Sequence, residues 1–315
     1  MATTTASPAK HASPALVRFA WFAVAYNILV ILWGALVRAT GSGAGCGNHW
    51  PLCNGQVVPL SPHLDTIIEF THRMMTGGAT FIVIALLVWT LRATIRGQAA
   101  RIAAIASTVL LVNEAILGAL LVKLGYVTGN RSTGRVILLS VHLSNTLLLL
   151  AALTLTAVFL ATAQRTRNLP LRGARATWTL AGLAATIVVG VSGSLAALGD
   201  TLFPAASLRA AVEQDLSSSS PLLLRLRGIH PLSAVIAAAF VLWLLAQARR
   251  NGATKLAAAV IFLLGVQFAL GIADVILLAP TWMQIVHLLG ADLYWVTLVA
   301  FAARLLWPPT EQTAA

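Results

Sequence analysis

Val136-Ile137-Leu138-Leu139-Ser140-Val141-His142-Leu143-Ser144-Asn145-Thr146-Leu147-Leu148-Leu149-Leu150-Ala151-Ala152-Leu153-Thr154-Leu155-Thr156-Ala157-Val158-Phe159-Leu160-Ala161-Thr162 contains no Asp, Glu, Lys or Arg. Roughly 20 such residues suffice for a helix to cross a bilayer. Hydrocarbon offers the backbone no water, so the stretch must satisfy its own hydrogen bonds as a helix. Seven other segments read the same way: 18–38, 67–91, 101–122, 176–197, 229–247, 255–278 and 282–305. With 58% hydrophobic and 10% charged residues, the chain has too few polar side chains to cover a soluble domain. The expected fold class is an all-α integral membrane protein with eight transmembrane helices.

The net charge of +12 does not indicate nucleic acid, because Lys and Arg fall in short segments between apolar runs. With the N-terminus inside, thirteen basic residues lie on the cytoplasmic side and eight on the outer side. This bias favours cytoplasmic N- and C-termini. Residues 1–17, rich in Ala, Thr, Ser and Pro, read as a disordered cytoplasmic tail. The run that follows is too long for a secretory signal and is expected to remain as the first span.

A weak duplication divides the chain into four spans plus four. Trp33-Gly34-Ala35-Leu36-Val37 leads into a long loop, as Gly190-Val191-Ser192-Gly193-Ser194-Leu195 does. Leu117-Gly118 in the third span matches Leu270-Gly271 in the seventh, and Val141-His142-Leu143 matches Val286-His287-Leu288. An even number of spans gives both repeats the same orientation, so their pseudo-twofold axis should run along the membrane normal. Two parallel-repeat four-helix bundles are expected, 18–165 and 176–307, joined by a cytoplasmic linker 166–175 and followed by a tail 308–315.

Four histidines carry the functional signal. His72, His142, His230 and His287 fall one each on the second, fourth, sixth and eighth spans, near their outer ends. Within about seven residues of those ends, they share a depth of roughly 10 Å. A lone intramembrane histidine is readily explained as an interhelical hydrogen bonder. Four at matched depth and matched repeat positions instead suit two pairs of axial ligands for heme iron, one pair per bundle. A zinc or copper site would more often recruit Cys or carboxylate.

The two halves differ beside these ligands. Glu69 precedes His72 by three residues, a spacing that shares a helix face, while Arg227 stands three residues before His230. A carboxyl beside a heme suits proton transfer, and an arginine suits a propionate. Pairing of Glu69 with Arg73 at the interface is the structural alternative. In the first outer loop, Gly45-Cys46-Gly47-Asn48-His49-Trp50-Pro51-Leu52-Cys53 brings two cysteines close in a compartment that permits disulfides. Such a bridge could be structural or redox-active. A metal site with His49 lacks an evident fourth ligand.

These residues resemble a known family. Glu69-Phe70-Thr71-His72-Arg73 is similar to the Glu-x-x-His-Arg signature of heme A synthases. Gly34-Ala35-Leu36-Val37-Arg38-Ala39-Thr40-Gly41-Ser42-Gly43 and Cys46-Gly47-Asn48-His49-Trp50-Pro51-Leu52-Cys53 resemble that family's first-loop pattern. The resemblance covers nearly the whole chain. It implies an eight-span membrane oxidoreductase that converts the C8 methyl of heme O to a formyl group, giving heme A for cytochrome oxidase. It further implies that His72 and His142 flank the substrate heme and that His230 and His287 ligate a heme b cofactor. Glu69 would be the catalytic carboxylate, and Arg38, Arg73 and Arg227 are propionate candidates. Implied partners are heme O, the heme O synthase that supplies it, an electron donor and the lipid bilayer. The expected location is a bacterial plasma membrane, with the heme sites toward the outer leaflet.

Two features depart from the family pattern. The second long loop has no cysteines, and Glu114, deep in the third span, has no assigned role. Glu114 could relay protons or hydrogen-bond across the bundle. Two other functions compete: a diheme electron-transfer cytochrome without turnover, and a parallel-repeat transporter with histidines as proton carriers.

Overall fold

A computed structural model describes residues 12–60, 62–164, 173–248 and 254–307. Among these residues the chain forms nine α-helices and one 3-10 turn. Eight helices are long and apolar enough to cross a membrane. They are α1 (Pro14–Ala39), α2 (Leu64–Ala93), α3 (Ala99–Lys123), α4 (Thr133–Thr162), α5 (Ala174–Leu202), α7 (Leu222–Ala248), α8 (Thr254–Ile276) and α9 (Thr281–Leu306). Between α5 and α7 lies a short polar helix, α6 (Leu208–Leu216). The chain is a multi-pass membrane protein.

Local chemistry sets the helix ends. Ser13 accepts a hydrogen bond from the Leu16 amide at 3.3 Å, and Pro14 starts α1 with a φ already suited to a helix. Ser132 and Ser207 cap α4 and α6 in the same way. Within α4, the hydroxyls of Ser140, Ser144, Thr154, Thr156 and Thr162 each bond the carbonyl four residues back. That return bond is how a hydroxyl is satisfied in hydrocarbon without a partner helix.

Helix α1 packs against α2 and α4, α2 against α3, and α3 against α4. In the second half α5 packs against α7 and α9, α7 against α8, and α8 against α9, the same order of neighbours. The halves meet where α4 and α1 lie against α5 and α9. One apolar core runs through this junction and includes Leu150, Leu153, Val241, Leu245, Val260, Trp295 and Phe301. Trp295 Nε1 donates to the Leu147 carbonyl at 2.8 Å, tying α9 to α4. The N-terminal ends of α2, α4, α7 and α9 gather at one end of the bundle with the two long connections. There the Thr128 hydroxyl bonds the Gly41 carbonyl and Arg131 stacks on Phe203.

Three expected boundaries move. Residues 14–17, read as tail, belong to α1, because the Ser13 cap starts the helix early and Leu16 is fully buried. Residues 1–11 and 308–315 lie outside the described residues, as does most of the linker; Ala174 and Arg175, placed in it, open α5. The sixth span starts at Leu222 rather than 229. Its Arg225 and Arg227 looked like loop charges but ride on the helix, with Arg225 bonded to the Ser218 carbonyl and Arg227 paired with acids.

Candidate functional site

Counted from Leu64, Thr133, Leu222 and Thr281, the four histidines stand eight, nine, eight and six residues into their helices, all at the loop end. Each ring lies over a glycine of a neighbouring helix. A Cβ added at Gly34 would sit 3.1 Å from His72 Cε1, at Gly193 2.8 Å from His230 Cε1, and at Gly271 3.1 Å from His287 Cε1. At Gly118 the distance to His142 Cε1 is 3.9 Å. The matched Gly34/Gly193 and Gly118/Gly271 positions of the sequence repeat are therefore seats for the imidazoles. A methyl at Gly34, Gly193 or Gly271 would push the ring away from the helix that supports it, whereas Gly118 leaves ordinary contact distance.

The ring nitrogens show what the seats prepare. His72 Nδ1, His142 Nδ1 and His287 Nδ1 are buried without a hydrogen-bond partner among the described residues. His230 Nδ1 faces the Ser192 hydroxyl at 3.2 Å, and that hydroxyl also meets Ser233 Oγ at 3.0 Å. Buried polar atoms are rarely left unmatched without a functional reason. The rings of His230 and His287 face each other edge to face, with centres 6.4 Å apart. A metal between two imidazoles, with bonds of about 2 Å and about 1.2 Å from nitrogen to ring centre, spans about 6.4 Å. The spacing of the two ring centres matches that of two imidazoles sharing one iron.

Glu69 lies 3% exposed on α2 with its carboxylate turned toward the first long loop. One oxygen meets Arg73 Nη2 at 2.5 Å, and the other accepts from the Cys46 amide at 2.8 Å. Arg73 Nη1 goes on to the carbonyls of His49 and Leu52, both at 2.6 Å. Cys46 and Cys53 are joined by a disulfide. At Gly45 the loop passes so close to α2 that a Cβ would meet the Asp65 backbone at 2.5 Å. Glu69, Arg73 and the bridge thus form one clasp between α2 and the loop.

The other two propionate candidates are also engaged. Arg38, at the end of α1, crosses to the second half and donates to the Ala197 carbonyl at 2.8 Å, Thr201 Oγ1 at 3.0 Å and Gln284 Oε1 at 2.9 Å. Arg227 is held by Asp200 at 2.8 Å and by Asp215 of α6 at 2.7 Å. The sequence hinted at neither partner, because both acids lie on elements remote from Arg227 along the chain. A further residue joins the site from α3: Glu114 approaches His142 Nδ1 to 3.5 Å.

The family of cytochrome oxidase assembly proteins matches residues 17–299. The chain belongs to this family. The resemblance to heme A synthases that the sequence motifs carry is borne out. A protein of Thermus thermophilus named protoheme IX farnesyltransferase is 44% identical over 295 residues, covering 92% of this chain and 48% of that protein. A heme A synthase of Shouchella clausii is 44% identical over 92 residues, 29% of this chain and 31% of its own. One of Geobacillus kaustophilus is 44% identical over 108 residues, 33% and 34% of the two chains. The chain therefore spans about half the length of the Thermus relative it matches.

Proposed function

We propose that this family member is a heme A synthase, oxidising the C8 methyl of heme O to a formyl group. The observation that carries this reading is the His230–His287 pair, seated on Gly193 and Gly271 with the spacing of one iron. His230 and His287 would hold a resident heme b, and His72 and His142 the substrate heme O. When bound, the resident heme supplies one-electron chemistry. Ser192 fixes the His230 ring through Nδ1 and leaves Nε2 for the metal. Converting a methyl to a formyl group replaces hydrogens on that carbon by one oxygen atom, so protons must be moved at the site. Glu69 is the carboxyl placed to take protons where the loop meets the first half. Arg73 orients Glu69 and draws the loop backbone over it, which keeps bulk water from that end of the site.

The shared order of helix neighbours supports a pseudo-twofold axis along the membrane normal, relating bundles 18–165 and 176–307. The disulfide and the excess of basic residues at the other end support an outward-facing loop end with both termini cytoplasmic. The bacterial relatives support a plasma membrane. The Thermus protein, matched to this chain across 48% of its length, supports heme O synthase as the partner that supplies substrate. The electron donor would approach the same membrane.

Co-expression with a heme O supply, followed by extraction and chromatography of the hemes, tests the reading. Heme A is the expected product. Unconverted heme O beside a normal b-type spectrum would point instead to a diheme electron-transfer cytochrome.

The glycine seats give a graded prediction. Gly193→Ala forces a contact of 2.8 Å with His230, an overpacking that costs about 1–3 kcal/mol. Resident heme per protein, by pyridine hemochrome, should fall clearly. Gly118→Ala, beside His142 of the other half and with 3.9 Å of room, is the control and should leave it unchanged. Equal heme content in the two variants would refute the seating argument.

A further inference from the structure

We propose that Glu114 is a positioning residue for His142: an anionic partner that orients the imidazole and strengthens its donation to iron. The inference rests on the reading that His72 and His142 hold a heme. Glu114 stands on α3 at the level of His142 and is tied to α4 by both carboxylate oxygens. One accepts from Asn145 Nδ2 at 2.5 Å, and the other meets the Thr146 hydroxyl. Asn145 is itself fixed, donating to the Leu110 carbonyl at 2.9 Å and accepting from Asn113 Nδ2 at 2.8 Å. The carboxylate cannot swing away without breaking this set.

Its Oε1 then lies 3.5 Å from His142 Nδ1. That is long for a hydrogen bond, and the nitrogen has no closer partner among the described residues. The contact is an electrostatic approach just beyond hydrogen-bond length. A neutral imidazole bound to metal through Nε2 carries its proton on Nδ1. At His142 that proton points to a carboxylate, the outer partner that raises ligand basicity. The other three histidines differ: His230 Nδ1 has a hydroxyl, and His72 Nδ1 and His287 Nδ1 have no partner among the described residues.

The first half therefore holds one strong ligand, His142, and one weak ligand, His72. An anchored side and a releasable side suit a heme that must enter and leave.

The test is Glu114→Gln in the full-length protein, reading the first-half heme as the signal lost in His142→Ala. Gln keeps the shape and one acceptor for Asn145, turns the other oxygen into a donor toward Thr146, and removes the charge. Affinity for added heme at that site should fall by about 10- to 100-fold, and its midpoint potential should move upward. An unmoved potential overturns the proposal even if affinity falls, because a merely structural role predicts that pattern. Resident heme in the second half serves as the folding control. If it too is lost, Thr146→Val, which loosens Glu114 but keeps its charge, must still raise the potential by a smaller amount; no shift there overturns the proposal. If His142→Ala removes no heme signal at all, the reading of the first half fails and this inference with it. An unmoved potential against a clear His142-dependent signal refutes the inference alone.

Discussion

Alanine at His230 or His287 should strip the second half of its resident heme, with heme A formation falling as a consequence. Each imidazole would supply one of the two protein ligands to the iron, and the remaining one cannot replace the other. Even the outer partners of a metal ligand are worth about 10–100-fold in affinity, so loss of a ligand should exceed tenfold. Pyridine hemochrome per protein reads the cofactor, and chromatography of extracted hemes reads the product. His49→Ala removes a histidine from the loop instead and should change neither cofactor content nor spectrum. Normal resident heme in both the His230 and His287 variants would refute the assignment.

The second large effect is expected at Glu69, where two roles have to be separated. Glu69→Gln should abolish or severely reduce heme A formation while the resident heme stays bound. Yet Glu69 also clasps Arg73 and the Cys46 amide, and breaking a buried ion pair costs about 3–5 kcal/mol. Arg73→Gln breaks the same pair and also releases the loop carbonyls of His49 and Leu52, but it leaves the carboxyl in place. If Glu69 handles protons beside the substrate, Arg73→Gln retains measurably more turnover than Glu69→Gln. Equal losses in the two variants would reduce Glu69 to a loop anchor, and full turnover in Glu69→Gln would remove it from the reaction.

The spans were legible because lipid leaves little choice: an apolar run of that length must be helical, and eight runs gave eight helices. The histidines were legible because a ring at matched depth in matched repeats needs a reason, and the glycines under them carry the same repeat. What stayed hidden depends on contacts between distant segments. Glu69 shares a face with His72 at i+3, yet Arg73 at i+4 is closer and oppositely charged, so the carboxylate turns to it. Glu114 meets His142 only because α3 lies against α4, and nothing within either helix announces that contact. Arg227 reads as a free cation until α6 folds and brings Asp215 to it. Helix α6 itself escaped notice as a short polar stretch in a loop, held by its Ser207 cap and an Arg209–Glu213 pair.

Arg38 and Trp295 set a further constraint. Both reach from one half to backbone or amide groups of the other, and Arg38 stands one turn beyond Gly34, the seat of His72, while its acceptor Gln284 stands one turn before His287. In lipid, polar bonds of this kind lock helices where apolar contact alone would let them slide. If each histidine pair holds a heme, the gap an electron must cross between them is set by these bonds when the chain folds. Substitutions at Arg38 should register as altered electron-transfer rates before they register as lost binding.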